Sequence, residues 1–217
     1  RSDGVREVLG LEVTASEDLE HWRTFLQSLV ARGVRGVRLV VSDSHVGLRQ
    51  AIAEVFLGAS WQRCRVHFLR NVLSHVPKSA QAMVAATVRP IFQQQSREEA
   101  QAQLAQVCIL LAPRFPKVVE LLEQAEEEIL AFYDFPSEHW RQLYSTNPLE
   151  RLNKELKRRS AVVGIFPTRQ SVIRLLGALL AEQNDEWIVA RHYFSEASMN
   201  RIDKAEPAGT DKALVAA

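Results

Sequence analysis

Two acidic residues occupy positions from which a carboxylate could hold a divalent metal ion. Asp43 follows residues 37–41, a short apolar run rich in β-branched side chains that predicts a buried strand. In open α/β sheets, ligands bind beyond the carboxyl ends of strands, which is where Asp43 would lie. Glu150 lies in the first turn of a predicted helix that continues with several basic residues. Carboxylates at these two places could bind Mg²⁺, since this ion prefers oxygen ligands.

Each of the two acids also has a purely structural interpretation. Position alone favours Asp43 as the cap of the next helix, since Asp and Ser are common at helix N-termini. Asn147, Pro148 and Glu150 have the pattern of an N-cap, a first-turn proline and the third residue of a capping box. Glu150 could also pair with Lys154 one turn later. The spacing by itself therefore leaves the metal-binding interpretation open for both acids.

Cys64 and His67 have the Cys-x-x-His spacing of a zinc ligand pair. A structural zinc site needs two more ligands, usually a second close pair, and Cys108 lies in a predicted helix with no His nearby in the sequence. A Cys–His hydrolase is a further possibility, but no glycine-rich turn of the oxyanion type surrounds Cys64. The sequence therefore favours Cys64 as a core residue over either site. It also contains no glycine-rich phosphate-binding loop.

Charge is balanced over the whole chain, at a formal net charge of +1, but separated along it. Residues 61–78 carry four Lys or Arg and no acid, and residues 151–174 carry seven against one acid. Residues 117–138 carry seven acids against one base. Such blocks either fold over one another or present a basic face to a polyanion. Trp140 and Tyr144 precede the second basic block and could stack on nucleobases, although their helical spacing favours core packing.

The elements that must position these residues change in type along the chain. The first third predicts the alternation β-α-β-α-β, which is typical of an α/β layer. Its strands are residues 5–13, 37–41 and 61–66, and its helices begin at Ser16 and Gly47. No strand is predicted from residue 68 to about 133, where prolines separate helices, most clearly 98–111 and 116–132. The last third is helical as well, with helices beginning near residues 147 and 171 and a break at residues 163–167.

Composition and length narrow the class of protein. The chain has 217 residues, of which 47% are hydrophobic and 24% are charged, as expected for a globular domain rather than a disordered chain. Nine Gly, eight Pro and two Cys exclude collagen-like and disulfide-scaffold proteins. The sequence has no apolar run long enough to span a membrane and no signal peptide at its start, so we expect a cytoplasmic protein with no membrane partner. A turn at Ser2, Asp3 and Gly4, with no initiating Met, predicts the C-terminal part of a longer protein.

Four segments taken in order carry a family resemblance. These are VVSDSHVGLRQAI, WQRCRVHFLRNVLSHVPK, STNPLERLNKELKRRSAVVGIFP and LLAEQNDEWIVARHYFS. Together they resemble the bacterial Mutator-type insertion-sequence transposases, over residues 3 to 199. The resemblance implies an α/β, RNase H-like core interrupted by an all-helical insertion. It divides the chain into a partial core at 1–67, the insertion at 68–135, helices that complete the core at 136–200, and a loose tail at 201–217.

The resemblance also implies a site and its chemistry. Members of the family use an Asp-Asp-Glu triad that binds two Mg²⁺ ions, or Mn²⁺, to cleave DNA and transfer its strands. By motif, Asp43 is the second Asp and Glu150 is the Glu. Cys64 and His67 match a family signature that supports the site, and we place His45 with them. The expected contacts to DNA are Arg63, Arg65, Arg70, Asn147, Arg151, Asn153, Lys154, Lys157, Arg158 and Arg159.

The chain departs from the family pattern at its start. The first catalytic Asp of the family lies on the first strand of the core, whereas residues 5–13 correspond to the third. The first two strands would therefore precede Arg1, and the chain by itself is expected to be inactive. Asp3 is a turn residue and a poor substitute for the missing Asp. The expected partners are transposon-end DNA, target DNA and further copies of the chain, in a bacterial cytoplasm and close to the nucleoid.

Three other functions stay open at this point. The chain could be an inactive transposase remnant that only binds DNA or a partner. It could be another RNase H-like nuclease such as a resolvase, although the large helical insertion argues against this. It could also be a helical interaction protein without enzymatic activity, in which Glu150 is a helix cap.

Overall fold

The computed structural model describes residues 1–14 and 16–204. Two short strands, β1 (Leu39–Ser42) and β2 (Ser60–Arg63), form a parallel pair in which Leu39 lies opposite Ser60 and Ser42 opposite Arg63. The remaining regular structure in these residues is helical. The α-helices are α1 (Leu19–Ala31), α2 (Val46–Val55), α3 (Arg65–Ser74), α4 (Lys78–Val88), α5 (Arg97–Leu111), α6 (Pro116–Leu130), α7 (Trp140–Leu143), α8 (Asn147–Ser160), α9 (Arg169–Val189) and α10 (Glu196–Lys204). Single 3₁₀ turns are Arg89–Gln93, Ala131–Asp134, Ser137–His139 and Ala161–Val163.

The α/β part is a small layer in which the parallel strands pack beside α1 and α2. The connection from β1 through α2 to β2 is a βαβ unit, which places the strands side by side in the same direction. Leu26 and Leu29 of α1 pack with Ala51 and Ile52 of α2 in one buried cluster. Both helices are amphipathic, so their apolar faces meet while their polar faces remain in solvent. The structure is thus compatible with an α/β class, although most of it is helical.

The prediction of a strand over residues 5–13 is wrong. Residues 5–14 have no regular secondary structure, because a strand needs a neighbouring strand and no described residue pairs with them. Their backbone polar groups find other partners instead. The N–H of Val8 donates to the side-chain oxygen of Asn184 in α9 at 2.8 Å, and the carbonyl of Gly4 accepts from Tyr193 and Phe194.

The predicted helical insertion forms a core of its own. Helices α3 to α6 bury a cluster of apolar side chains that includes Phe68, Ile91, Leu122 and Phe132, each at most 1% exposed. The helix predicted over 98–111 is observed as Arg97–Leu111, capped by the hydroxyl of Ser96, which accepts from the N–H of Glu99 at 3.2 Å. No strand interrupts the described residues between β2 and the end of α10.

The insertion is attached to the sheet through a buried glutamine. Gln62 of β2 is fully buried, and its Nε2 donates to the carbonyl of Ile129 at 3.1 Å. Its Oε1 accepts from the N–H of Phe132 at 2.8 Å. The end of α6 is therefore fixed to the strand that leads into the Cys-x-x-His segment.

Helix α10 packs against the 3₁₀ turn Ser137–His139, which precedes α7. The side chain of His139 is buried, and its Nε2 lies 2.7 Å from the hydroxyl oxygen of Ser198 in α10. Helix α10 continues to Lys204, so residues 201–204, predicted as the start of a loose tail, are helical. The rest of the predicted tail lies outside the described residues.

Candidate functional site

The carboxyl ends of the two parallel strands form one edge of the sheet, where Asp43 and Cys64 lie. Asp43 follows β1 and Cys64 follows β2. The N–H of Cys64 donates to the carbonyl of Ser42 at 2.7 Å, which extends the ladder by one bond beyond the strands. The indole N–H of Trp61 donates to the Ser42 hydroxyl oxygen at 2.8 Å and holds it from the other side. The backbone immediately before Asp43 is therefore fixed.

Asp43 is exposed and does not cap the following helix. The N-cap of α2 is His45, whose Nδ1 accepts from the N–H of Leu48 at 3.2 Å. The interpretation of Asp43 as a helix cap is thus wrong. The cap is His45, which the sequence analysis placed among the residues that support the site. Within residues 1–14 and 16–204, the Asp43 carboxylate makes no hydrogen bond or ion pair, so both of its oxygens can take a ligand.

Cys64 joins this sheet edge to the helix that carries Glu150. Its side chain is fully buried, and its Sγ accepts from both the N–H and the hydroxyl of Thr146, at 3.4 and 3.3 Å. Thr146 is the residue before α8 and lies 82 positions later in the chain. Cys64 therefore binds Ser42 through its backbone and Thr146 through its sulfur, and we call these contacts the Cys64 bridge.

Glu150 is held by neighbours other than those the sequence predicts. Helix α8 begins at Asn147 with Thr146 as its N-cap, one residue earlier than predicted, and no capping box forms. The Thr146 hydroxyl lies 3.3 Å from Oε1 of Glu150 instead of capping the helix. Oε1 also lies 3.3 Å from Nε2 of His67, and this contact replaces the predicted pair with Lys154. Both contacts use one oxygen, which leaves Oε2 available to a ligand.

The Cys-x-x-His segment therefore has two separate contacts with the start of α8. Cys64 is the N-cap of α3 and His67 lies in its first turn, because β2 ends at Arg63 rather than running to residue 66 as predicted. The sulfur of Cys64 contacts Thr146, and the imidazole of His67 contacts Glu150. Nδ1 of His67 is buried and has no hydrogen-bond partner in the described part of the chain.

Asp43 and Glu150 do not belong to a metal-binding cluster of side chains in the described residues. No group of three or more His, Cys, Asp or Glu in the described ranges is arranged to hold a metal ion. The donors present are carboxylate oxygens, which suit Mg²⁺ or Mn²⁺, and Cys64 points its sulfur at Thr146 instead of at a site for zinc. The carboxylate oxygens of Asp43 and Glu150 have the chemistry that a hard cation prefers.

The predicted DNA contacts divide into two groups. Four of them have close protein partners: Arg63 lies 3.8 Å from Glu128, Arg65 lies over the Tyr144 ring at 3.3 Å, and Arg158 and Arg159 bind Glu155. Burial lowers the pKa of the Arg63 and Arg65 guanidinium groups. The side chains of the others form no ion pair or hydrogen bond within the described residues; these are Arg70, Asn147, Arg151, Asn153, Lys154 and Lys157.

Lys154 and Lys157 continue the face of α8 that begins with Glu150. Residues three and four apart lie on the same side of a helix, so the two amines follow the carboxylate in a stripe. This arrangement places exposed positive charge next to the candidate site. Trp140, in contrast, belongs to the core, with its ring 4.7 Å from that of Tyr133 and its indole N–H donating to Phe135. These contacts favour the core-packing interpretation of Trp140.

Two features of the site escape sequence analysis. Thr146 supplies the contact to Cys64, and a threonine before a helix gives no sign of a sulfur partner so distant in sequence. Arg6 and Arg141 line a cavity beside the start of α8, although they lie in different parts of the chain. Their isolated positions in the sequence carry no motif that could have identified them.

Comparisons with known proteins support the resemblance that the segments carry. Residues 1–190 match the family model described as "Transposase, Mutator family". The chain is 46% identical over 204 residues to the transposase for insertion sequence element IS1081 from Mycobacterium tuberculosis, which covers 94% of this chain and 49% of that protein. It is 42% identical over 193 residues to the ISRM5 transposase of Rhizobium meliloti, covering 89% and 48%. It is 39% identical over 189 residues to the transposase of IS256 in Tn4001 from Staphylococcus aureus, covering 86% and 48%.

The chain thus spans about half the length of the curated relatives it matches. In the described residues, no helix has both the length and the apolar character needed to cross a membrane. The family match extends over nearly the whole chain and over both acids of the candidate site. This chain belongs to the Mutator family of transposases.

Proposed function

We propose that the chain is the C-terminal part of a DNA transposase, and that Asp43 and Glu150 are two of its catalytic carboxylates. The observation that carries the proposal is the Cys64 bridge, which links the backbone before Asp43 to the residue that precedes the Glu150 helix. A mere helix cap would need no such link across 82 residues. The RNase H-like architecture, with its first two strands upstream, is part of the same proposal.

The reaction would be phosphoryl transfer on DNA, by which the transposon ends are cut and then joined to target DNA. Asp43 and Glu150 would hold two Mg²⁺ ions, or Mn²⁺, together with an upstream Asp and the scissile phosphate. These ions supply activation of the attacking oxygen and stabilisation of the leaving oxygen when bound. In this proposal His67 and Thr146 orient Glu150 through one of its oxygens, and the other oxygen has no partner in the described residues.

Basic residues on α8 would hold the DNA. Lys154 and Lys157 follow Glu150 on one helix face, and Arg151 lies next to it in sequence. Contacts of this kind go to the phosphate backbone, so they give affinity and register without reading sequence. We also propose that the protein self-associates on the DNA of the nucleoid, since joining an element requires that its two ends be paired.

The proposal is tested by replacing Glu150 in a chain that also carries the upstream half found in the relatives. Glu150→Gln removes the metal-binding charge and keeps the shape, so Mg²⁺-dependent cleavage of transposon-end DNA should fall about 10³-fold, the effect of several kcal/mol. DNA affinity should stay within about twofold, because phosphate contacts supply it.

Glu123→Gln is the control, on helix α6. Glu123 is exposed and forms no ion pair in the described residues, so cleavage should be nearly unchanged. A parent chain that binds DNA without cutting it would favour the inactive remnant. If the Glu150→Gln variant cleaves DNA as fast as its parent, Glu150 is a structural residue and not a catalytic one.

A further inference from the structure

A cavity of about 550 Å³ lies beside the first turns of α8, against the helix face that carries Pro148, Arg151, Leu152 and Glu155. Its wall comes from three parts of the chain: the irregular N-terminal segment, the stretch from Arg141 to Glu155, and α9 with the segment that follows it. Arg6, Arg141 and Arg151 each contribute a side chain to this wall. We call it the three-arginine pocket.

The pocket carries positive charge that the protein does not neutralise. None of its three arginines forms an ion pair with a carboxylate in the part of the chain that the structure describes. Glu155 also lines the pocket, but its two oxygens are bonded to Arg158 and Arg159. The N-terminus of the 14-residue helix α8 opens beside the same space and adds its partial positive charge.

Arg6 is held in place by two aromatic rings. The guanidinium of Arg6 lies 4.4 Å from the centre of the Trp187 ring and 4.7 Å from that of Tyr193. Burial raises the pKa of Tyr193, and the charges of Arg6 and Arg151 both oppose that rise, so both lie within electrostatic reach of one hydroxyl. Arg6 and Arg151 therefore lie near one another, with Arg141 on the same wall, and a bound anion would offset the repulsion between their charges.

The chemistry of the wall selects the anion. Guanidinium groups are planar forks that match the oxygens of a phosphate, and they are preferred where phosphate is recognised. The volume exceeds that of a free ion and admits the phosphate with its attached sugar. Asn147 and Pro148 also line the pocket, so its occupant lies against the first turn of the helix that carries Glu150.

We propose that the three-arginine pocket binds one phosphodiester group of the DNA backbone. Because the pocket lies against the helix that carries Glu150, a phosphate bound there would fix the DNA relative to that helix. The exposed lysines of α8 cannot do this alone, because they are mobile point charges. The inference rests on the proposed function, since it takes DNA as the ligand.

The test measures the salt dependence of DNA binding by this chain, without divalent ions so that no cleavage occurs. The logarithm of the binding constant falls with the logarithm of salt concentration by about 0.9 for each phosphate neutralised. Replacing Arg6, Arg141 and Arg151 together with Gln should lower this slope by about 0.9, which is one phosphate, and the affinity by about tenfold. Three independent surface contacts would lower the slope by about 2.7, and that result would overturn the proposal.

Matched variants guard against trivial loss of structure. Arg141→Lys keeps the charge and removes the planar fork, so the slope should persist while affinity falls. Arg114→Gln removes an exposed arginine of the insertion and should leave the slope unchanged. Thermal melting confirms that each variant is folded. An unchanged slope in a folded triple variant refutes the pocket.

A separate arm distinguishes DNA from free phosphate, using inorganic phosphate as the probe. If phosphate raises the melting temperature of the parent but not of the triple variant, while DNA does not bind, the pocket takes a free anion and the proposal fails. Because this test reads binding alone, it is independent of the Glu150→Gln cleavage assay. Loss of one result with retention of the other shows which of the two proposals is at fault.

Discussion

Replacing Gln62 with Met should destabilise the protein by about 3 kcal/mol. Gln62 is fully buried in β2, where its oxygen accepts from the N–H of Phe132 at 2.8 Å. Its Nε2 donates to the carbonyls of Ile129 and Arg63, at 3.1 and 2.8 Å. Methionine has a similar length and volume, so the substitution removes the hydrogen bonds and creates little empty space.

The magnitude follows from the two buried backbone groups left without a partner, the carbonyl of Ile129 and the N–H of Phe132. Arg63 is only partly buried, so water can replace the bond to its carbonyl. Ile129 and Phe132 are buried, at 0% and 1% exposed, so water does not reach their backbone groups without a local opening. An unsatisfied buried donor or acceptor costs about 1–3 kcal/mol, which gives about 2–6 kcal/mol for the pair. Burial of an apolar side chain in place of an amide returns part of this, which brings the expected loss to about 3 kcal/mol.

Urea unfolding followed by tryptophan fluorescence measures the effect. The midpoint should fall with an unchanged slope, and the melting temperature should fall by about 6–12 °C for a chain of this size. The control is Gln124→Met, since Gln124 is exposed on α6 and donates at 3.3 Å to Glu120. Its effect should stay within about 0.5 kcal/mol. A loss below about 1 kcal/mol for Gln62→Met would refute the attachment of the insertion through this side chain.

Two further predictions concern His139 and Cys64. Burial lowers the pKa of His139, so this side chain takes up a proton at a higher pH in the unfolded chain than in the folded one. The free energy of unfolding should therefore decrease as the pH falls below about 6.5. The difference between the unfolding midpoints at pH 7 and pH 5 should be smaller in His139→Gln than in the parent. An equal difference in both proteins would contradict this prediction. His75→Gln is the control, because His75 is exposed. In the chain with its upstream half, Cys64→Ala should lower cleavage about tenfold or more through misplacement of Glu150 while DNA affinity stays constant. Cys108→Ala serves as its control, and parallel loss of cleavage and affinity would exclude a positioning role.

Local patterns predicted the helices and the central strand well. The run at residues 37–41 is observed as Leu39–Ser42, and the helix predicted over 116–132 is observed as Pro116–Leu130. Helical periodicity and proline positions depend on nearby residues, so they can be read from one segment at a time. The absence of strands from the insertion was predicted for the same reason.

Features that depend on distant partners were not predicted correctly. Residues 5–13 have the composition of a strand, but no described neighbour pairs with them, so they stay irregular. The cap of α8 moved to Thr146 because its hydroxyl and N–H both meet the sulfur of Cys64. The roles of Asp43 and Glu150 came from motif resemblance and stay predictions. Position alone favoured a cap for Asp43, and the structure places His45 there instead.

Gln62, Arg63 and Cys64, at and just after the end of β2, connect the predicted insertion to both segments that carry the acids of the proposed site. Gln62 bonds to the end of α6, Arg63 lies near Glu128 of the same helix, and Cys64 bonds to Ser42 and to the residue before α8. The insertion therefore leaves and returns to one short strand, and its far end is fixed there before the chain reaches Glu150. Because these bonds are short and largely buried, a shift of α6 must move β2 or break them. The position of Glu150 relative to Asp43 thus depends on the packing of the insertion as well as on the sheet.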